Sequence, residues 1–445
     1  MNRSAVREFQ APDIRVQRGE LLVPTRVGDP ARGPLPGLAA PLIAGSLRRK
    51  GWRCVLAPVP ALDDAGADGG GAAVYLATCA QRGGGTAALA AAASPADRLA
   101  AAAAQAAVEE WAAVTGTRRL LAAGSPWCSG AMRALDAAWN AAAEAAAKGR
   151  VMHVYGDLAA PPEALADLAA RGVSAAARLE DMAAGDIVVI PAHGAPPAVL
   201  AEAAARGLTV IDATCPLVTQ AQEQAARLAS RGDDLVLIGQ EAGAAAGIIG
   251  RAPDRATLVE TAAGTAALQV ADARRVSYLL QPGLPVESTE PVAAALRSRF
   301  PAARGPHPDS FCYAPSDRAQ TVRAIAAGCD LMLVLGDGDS ADARQVSGLA
   351  RDCGARTQVI AAVTDITPAL LSGVTAIGMA ASTSAPSDLA AQVTEALSGL
   401  GPLSVVRRQV VSQVTPDHQA PPPALSAVPA TPATATLADD GLGLA

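Results

Sequence analysis

The chain has 445 residues, room for about three domains at roughly 150 residues each. Apolar residues make up 51% and charged residues 18%, a globular composition, and aromatic residues at 2% leave the core to Ala, Val and Leu. Net charge is −6, only Lys50 and Lys148 among the 36 basic residues are lysines, and no basic-aromatic stripe appears, so nucleic acid is not an expected partner.

The first twenty residues carry Arg3, Glu8, Asp13 and Arg15 with no apolar run, which argues against a secretory signal. Leu99 to Val114 is Ala-rich, but Glu109 and Glu110 interrupt it and it is too short to span a bilayer. A soluble cytoplasmic protein without a membrane partner is expected. Seven cysteines, an odd number spread over three hundred residues, do not read as a disulfide framework; in a reducing compartment they are core thiols, ligands or nucleophiles.

From Glu20 onward short apolar runs alternate with helical stretches, the pattern of successive strand-helix units and a largely parallel sheet; the fold class is α/β. Strands are predicted at Leu21 to Pro24, Cys54 to Ala57, Ala73 to Thr78, Arg119 to Ala122, Asp186 to Ile190, Leu208 to Ile211, Leu235 to Ile238, Val276 to Leu280, Leu331 to Leu335 and Thr375 to Met379. After Cys215, the residues Val218, Ala221, Ala225 and Leu228 define one apolar helical face that stops at Arg231-Gly232. Residues 1–116 carry their own strand and helix signals and the run Gly69-Gly70-Gly71, and read as an N-terminal extension or domain. Residues 413–445, rich in Pro, Ala and Thr without periodicity, read as a disordered tail.

Cys128, Cys215 and Cys312 each lie just before a helix, at intervals of 87 and 97 residues, one in each of three α/β units. A thiol at a helix N-terminus faces the positive end of the dipole and is biased toward thiolate, the metal-ligating form. Three soft thiolates from three units suit an iron-sulfur cluster better than a structural zinc site, which draws its ligands from closely spaced pairs. Spacing alone leaves open three unrelated core thiols. Cys54, Cys329 and Cys353 fall on apolar faces and read as core thiols. His153, His307 and His418 show no ligand spacing.

The segment Asp212-Ala-Thr-Cys-Pro-Leu-Val-Thr219, with its following helix and Leu235-Val-Leu-Ile-Gly-Gln-Glu241, resembles the 4-hydroxy-3-methylbut-2-enyl diphosphate reductase (IspH/LytB) family. Cys128-Ser-Gly-Ala-Met-Arg-Ala134 is similar to that family's first cysteine motif, Pro191-Ala-His-Gly194 to its Ala-His-Gly turn, and Phe311-Cys-Tyr-Ala314 to its third cysteine motif. Ser382-Thr-Ser-Ala-Pro386 resembles its last substrate loop, so the likeness runs in family order from about Thr117 to about Leu400. It implies three lobes, 117–200 with Cys128, 201–300 with Cys215 and 301–412 with Cys312. Around their meeting point it implies a [4Fe-4S] cluster, which is isolated in some preparations as [3Fe-4S]. The fourth iron would take the allylic hydroxyl of the diphosphate substrate. Two electrons from a ferredoxin or flavodoxin type partner, with protons, would remove it as water in isoprene biosynthesis. Single electrons and a Lewis acid are what side chains cannot supply.

Several family positions are altered. Tyr155-Gly-Asp-Leu-Ala-Ala-Pro161 has no His, and the His-Pro-Glu segment reads Gln240-Glu-Ala-Gly-Ala-Ala-Ala-Gly247, which leaves Glu241 as the nearest carboxylate for proton delivery. Pro282-Gly283 replaces a Thr-Thr pair, and Ser340-Ala341-Asp342 replaces a Ser-Ser-Asn run. Retained candidates are His193, for catalysis and substrate binding, and Ser340 and Ser384, for substrate binding. Asp337, Asp339 and Asp342 would repel a diphosphate. The expectation is therefore a retained cluster chemistry acting on the family substrate or on a related small molecule. The competing class is a non-enzymatic redox or oxygen sensor, or a degenerate partner in a complex.

Overall fold

The computed structural model describes residues 5–64, 71–176 and 178–412. The expected tail at 413–445, with His418, lies outside them, as do Gly69 and Gly70. The first region contains β1 (Arg7–Ala11), β2 (Glu20–Asp29), β3 (Gly33–Pro36), α1 (Ala40–Arg49), β4 (Arg53–Val59), β5 (Asp63–Asp64), β6 (Ala72–Ala80), β7 (Thr86–Ala93) and α2 (Arg98–Ala113). Its strands form one sheet in the order β3-β2-β7-β6-β1-β5, with β4 added beside β2. Here the parallel expectation fails. Only β2 and β4, joined through α1, run parallel, and the other pairs are antiparallel. The connection from β6 to β7 is five residues long, enough for a hairpin and too short for a crossover helix.

This sheet is buried on both faces, which the period-2 geometry of a strand makes visible residue by residue. Ala73, Tyr75 and Ala77 of β6, with Leu89, Ala91 and Ala93 of β7, pack toward α1 and α2. Ala72, Val74 and Leu76, with Ala88, Ala90 and Ala92, face a smaller core closed by Phe9, Val27, Val59 and Leu62.

The remaining chain continues with β8 (Arg118–Ala123), α3 (Ser129–Ala147), β9 (Met152–Tyr155), α4 (Pro162–Ala170), β10 (Ser174–Ala176), β11 (Ile187–Ile190), α5 (Pro197–Ala205) and β12 (Thr209–Asp212). Then come α6 (Pro216–Ser230), β13 (Asp234–Ile238), α7 (Ala245–Ile249), β14 (Ala256–Val259), α8 (Gly264–Ala267), β15 (Val276–Leu280) and α9 (Val286–Arg299). The last elements are α10 (Ala314–Ala326), β16 (Leu331–Leu335), α11 (Ala341–Asp352), β17 (Arg356–Ile360), α12 (Pro368–Leu371), β18 (Ala376–Ala381), α13 (Leu389–Ser398) and β19 (Leu403–Arg408).

These strands build three sheets, β10-β9-β11-β12, β14-β13-β15 and β17-β16-β18-β8-β19, each parallel throughout. Their central strands read as unbroken apolar runs because helices cover both faces. All four residues of β11 and all five of β16 are 0% exposed. The strand that leads into Cys128, β8, lies between β18 and β19, so one sheet joins chain segments some 250 residues apart. No described helix is long and apolar enough to cross a membrane.

Candidate active site

Nearly every candidate residue lies beyond the carboxyl end of a parallel strand, where open α/β sheets place their ligands. Cys128 follows β8, His193 follows β11, Cys215 follows β12, Glu241 follows β13, Ser340 follows β16 and Ser384 follows β18. Cys312 instead precedes α10, after a short turn at Pro308–Ser310.

Two of the cysteines cap helices, and Cys312 stands two residues before the third. Cys128 is the N-cap of α3, and its Sγ accepts the Ala131 N–H at 3.4 Å. Cys215 is the N-cap of α6, with Pro216 pre-set for the first helical position and its own N–H donated to the Ala192 carbonyl at 2.9 Å. Backbone N–H groups of Gly283 and Ala314 point at the Cys312 sulfur. The thiols converge. At Gly130, on the first turn of α3, a side-chain carbon would stand 2.9 Å from the Cys215 Sγ and 3.8 Å from the Cys128 Sγ. Cys128 and Cys215 also lie within electrostatic reach of Cys312.

The expected dipole bias toward thiolate is overturned at two of the three. Burial pushes the Cys215 and Cys312 thiols up, and the neighbouring thiols push in the same direction. The helix N–H donors pull the other way without prevailing. Like charges close together in a poorly solvated place cannot all ionise unless a cation offsets them. A positively charged inorganic core would let Cys215 and Cys312 ionise together beside Cys128, so the donor set fits an iron-sulfur cluster. Among the described residues no three His, Cys, Asp or Glu side chains are placed to hold a single metal ion. A single zinc would require sulfurs about 2.3 Å from one centre. A multi-atom cluster instead needs convergence with space between the sulfurs.

His193 stands between two loops that reach the same place. A side-chain carbon at Gly243 would lie 3.6 Å from its Nδ1, and one at Gly283, whose N–H serves Cys312, would lie 3.8 Å from its Nε2. His193 is exposed in part, yet the surrounding protein lowers its pKa by desolvation, so the ring is neutral at pH 7. The two loops are latched by Gln281, 5% exposed, whose Oε1 accepts the Gln240 N–H at 2.8 Å and whose Nε2 donates to the Ala242 carbonyl at 2.7 Å. Sequence reasoning passed over Gln281. A lone amide at a strand end gives no signal. Glu241 is exposed; its N–H bonds to Glu260, and its carboxylate makes no hydrogen bond or ion pair among the described residues.

Ser340 and Ser384 are brought together in a second cluster. Ser384 Oγ accepts the Asp337 N–H at 3.0 Å and pairs with Ser382 Oγ at 2.9 Å, while Ser340 caps α11 by accepting the Ala343 N–H at 3.2 Å and donates its own N–H to the Asp337 carbonyl. Gly336 permits this closeness: its φ is +130°, and any side chain would strike Ser382 Oγ at 2.1 Å. The three aspartates are not equivalent. Asp342 is gripped by Arg318, from the second turn after Cys312, at 2.7 and 2.8 Å, and accepts the Thr383 N–H at 2.7 Å. Asp337 and Asp339 remain exposed without an ion pair among the described residues. The Arg318 partner was not found from the sequence. His153 serves structure, held between Ser174 Oγ at 2.7 Å and Asp186 at 3.2 Å.

Three parallel α/β lobes bring three cysteines together at or just before helix N-termini, a donor set suited to a metal-sulfur cluster. The family model described as LytB protein matches residues 120–398, and the chain belongs to that family of iron-sulfur reductases. The chain is 37% identical over 287 residues to 4-hydroxy-3-methylbut-2-enyl diphosphate reductase of Bordetella pertussis, covering 64% of this chain and 87% of the relative. It is likewise 37% identical over 230 residues to the enzyme of that name numbered 1 in Mycobacterium tuberculosis, covering 52% and 70%. Among solved structures, the fold resembles that of the E-1-hydroxy-2-methyl-but-2-enyl-4-diphosphate reductase from Plasmodium falciparum. That match has a TM-score of 0.57 at 22% identity, over 68% of this chain and 96% of the other.

Proposed function

We propose that this oxidoreductase uses a [4Fe-4S] cluster, held by Cys128, Cys215 and Cys312, to carry out a two-electron reductive dehydroxylation. The observation that carries the reading is the approach of the Cys215 and Cys128 sulfurs to the side-chain-free face of Gly130, with Cys312 within electrostatic reach of both. In the balanced reaction an alcohol, two electrons and two protons give the deoxygenated product and water. When bound, the cluster supplies single electrons and a Lewis-acid iron. The electrons come from a ferredoxin or flavodoxin type donor in the cytoplasm. His193, neutral and beside the Cys312 loop, orients the substrate and passes a proton at its ring nitrogen. Glu241 delivers the other proton when its loop turns inward. Ser340 and Ser384 hold the distal polar end.

The substrate named for the relatives, 4-hydroxy-3-methylbut-2-enyl diphosphate, is the first to test, which places the enzyme in isoprenoid precursor synthesis. A related hydroxylated molecule is favoured by one observation: the Arg318 guanidinium beside the serine cluster is already committed to Asp342, and Arg344 donates to the Asp339 carbonyl. The test is anaerobic purification with iron, sulfide and spectrum on the parent and on Cys128→Ser, Cys215→Ser and Cys312→Ser. Each variant is expected to lose most of its iron; unchanged iron in all three removes the site. Turnover of the diphosphate at the relatives' efficiency would exclude the altered-substrate reading. Loss of the cluster in air with a change of oligomeric state, and no turnover of any hydroxylated ligand, would favour a sensor.

A further inference from the structure

We infer that Arg133 is the fixed counter-charge of the cluster, holding its reduction potential up so that a biological donor can reduce it. The inference rests on the cluster assignment above. Gly130 and Arg133 are three residues apart on α3, so they share one face of the helix, about 4.5 Å apart along its axis. Gly130 is where the Cys215 sulfur packs against that face, 2.9 Å from an added side-chain carbon. The next residue along the same ridge is therefore an arginine, one turn from a cluster sulfur and five residues from the N-cap Cys128. Arg133 is exposed and makes no hydrogen bond or ion pair among the described residues; the nearest acid on its own helix, Asp136, is not paired with it. Its charge nevertheless acts on Cys215, opposing the burial and the Cys128 thiol that push that group up.

The physical consequence concerns electrons. Each electron accepted from the donor adds one negative charge to the cluster, and a nearby fixed positive charge stabilises the reduced form over the oxidised one. An arginine suits the role because it stays charged at every physiological pH. Removing it leaves the sulfurs, their N–H donors and the helix dipole in place and changes only this charge.

The test is anaerobic potentiometry, followed by the cluster's electron spin resonance signal, on ligand-free parent, Arg133→Gln, Arg133→Lys and Arg133→Glu, each with iron counted. At equal iron, Arg133→Gln is expected to lower the reduced-to-oxidised ratio at a fixed poise by threefold to tenfold, the upper figure being about 59 mV for a one-electron couple. Arg133→Lys should stay near the parent, and Arg133→Glu should move further than Arg133→Gln. If Gln fails to assemble a cluster while Lys succeeds, the charge is needed at the thiolates and the assignment stands. Equal potentials in parent and Arg133→Gln overturn it, as does loss of iron in both Gln and Lys. A parent that binds no iron, or cysteine variants that keep theirs, would instead overturn the underlying site.

Discussion

Gly130 shows how much a single missing carbon decides. Within a helix, replacing Gly by Ala gains up to about 1 kcal/mol through backbone entropy, but Gly130 is buried at the second residue of α3, where that gain is set against a contact. At this position the new carbon would meet the Cys215 Sγ at 2.9 Å and its Cβ at 3.2 Å, and the sulfur must move. The two effects separate in experiment. Gly130→Ala should change the thermal midpoint of the iron-free chain by only a few degrees, the entropy gain offsetting the displaced sulfur, about 1 kcal/mol either way, while iron per chain after anaerobic reconstitution falls to less than half the parent value. Equal iron in both proteins would show that α3 and Cys215 do not need this close approach. The cysteines themselves were legible in the sequence because each precedes a helix in a distinctive local motif. Gly130 stands in the same motif, yet the reason for it lies in Cys215, 85 residues away, and only the fold reveals it.

At the scale of elements, Asp342 ties three of them together: α11, which carries it, α10 through Arg318, and the loop after β18 through the Thr383 N–H. Burial works to raise its pKa, but the Arg318 hydrogen bonds and charge and the Thr383 N–H outweigh it, so the net shift is downward. A carboxylate with a lowered folded pKa stabilises the fold above its unfolded value near 3.9 and loses that contribution as pH falls through the folded value. Asp342→Asn should therefore cost about 2 kcal/mol in urea unfolding at pH 6 to 7, the range of a hydrogen-bonded charge pair. The gap between parent and variant should close as the pH drops below about 4. A gap that stays constant down to pH 3 would mean that packing, not charge, holds the three elements. The expectation of a site repelling anions came from reading three aspartates as equals. Charge could be counted in the sequence, but Arg318 lies 24 residues from Asp342 and its pairing depends on how α10 crosses α11. The parallel strands were readable because runs such as Leu331 to Leu335 are apolar throughout, whereas the antiparallel arrangement of the first sheet was hidden by alanine, which suits either pattern.

At the scale of the whole molecule, the N-terminal region shares a core with the lobe that bears Cys128 and the serine cluster. Leu42, Ile43 and Leu47 of α1 and Trp111 of α2 belong to the same buried set as Leu120 of β8, Leu331, Leu333 and Leu335 of β16, and Val393 and Leu397 of α13. Trp111 is 0% exposed, with its indole N–H donated to Ser46 Oγ at 3.1 Å. Arg49 bonds to the Ile366 carbonyl, and Gln81 to the Ser398 carbonyl, across the same junction. Removing residues 1–113 would uncover the part of this core that α1, α2, β6 and β7 close, an apolar surface that favours aggregation. The truncated chain is expected to be recovered mainly as aggregate and, where soluble, to bind little iron. Because truncation could fail for trivial reasons, Trp111→Ala gives the sharper measurement. Loss of a fully buried indole should cost about 3 to 5 kcal/mol. If the core is continuous, that loss must lower the protection of β16 backbone amides against hydrogen exchange together with those of β6 and β7, because all three strands then open in one cooperative unit. Protection retained in β16 while β6 and β7 exchange would make the N-terminal sheet a separate folding unit that merely rests on the reductase lobes.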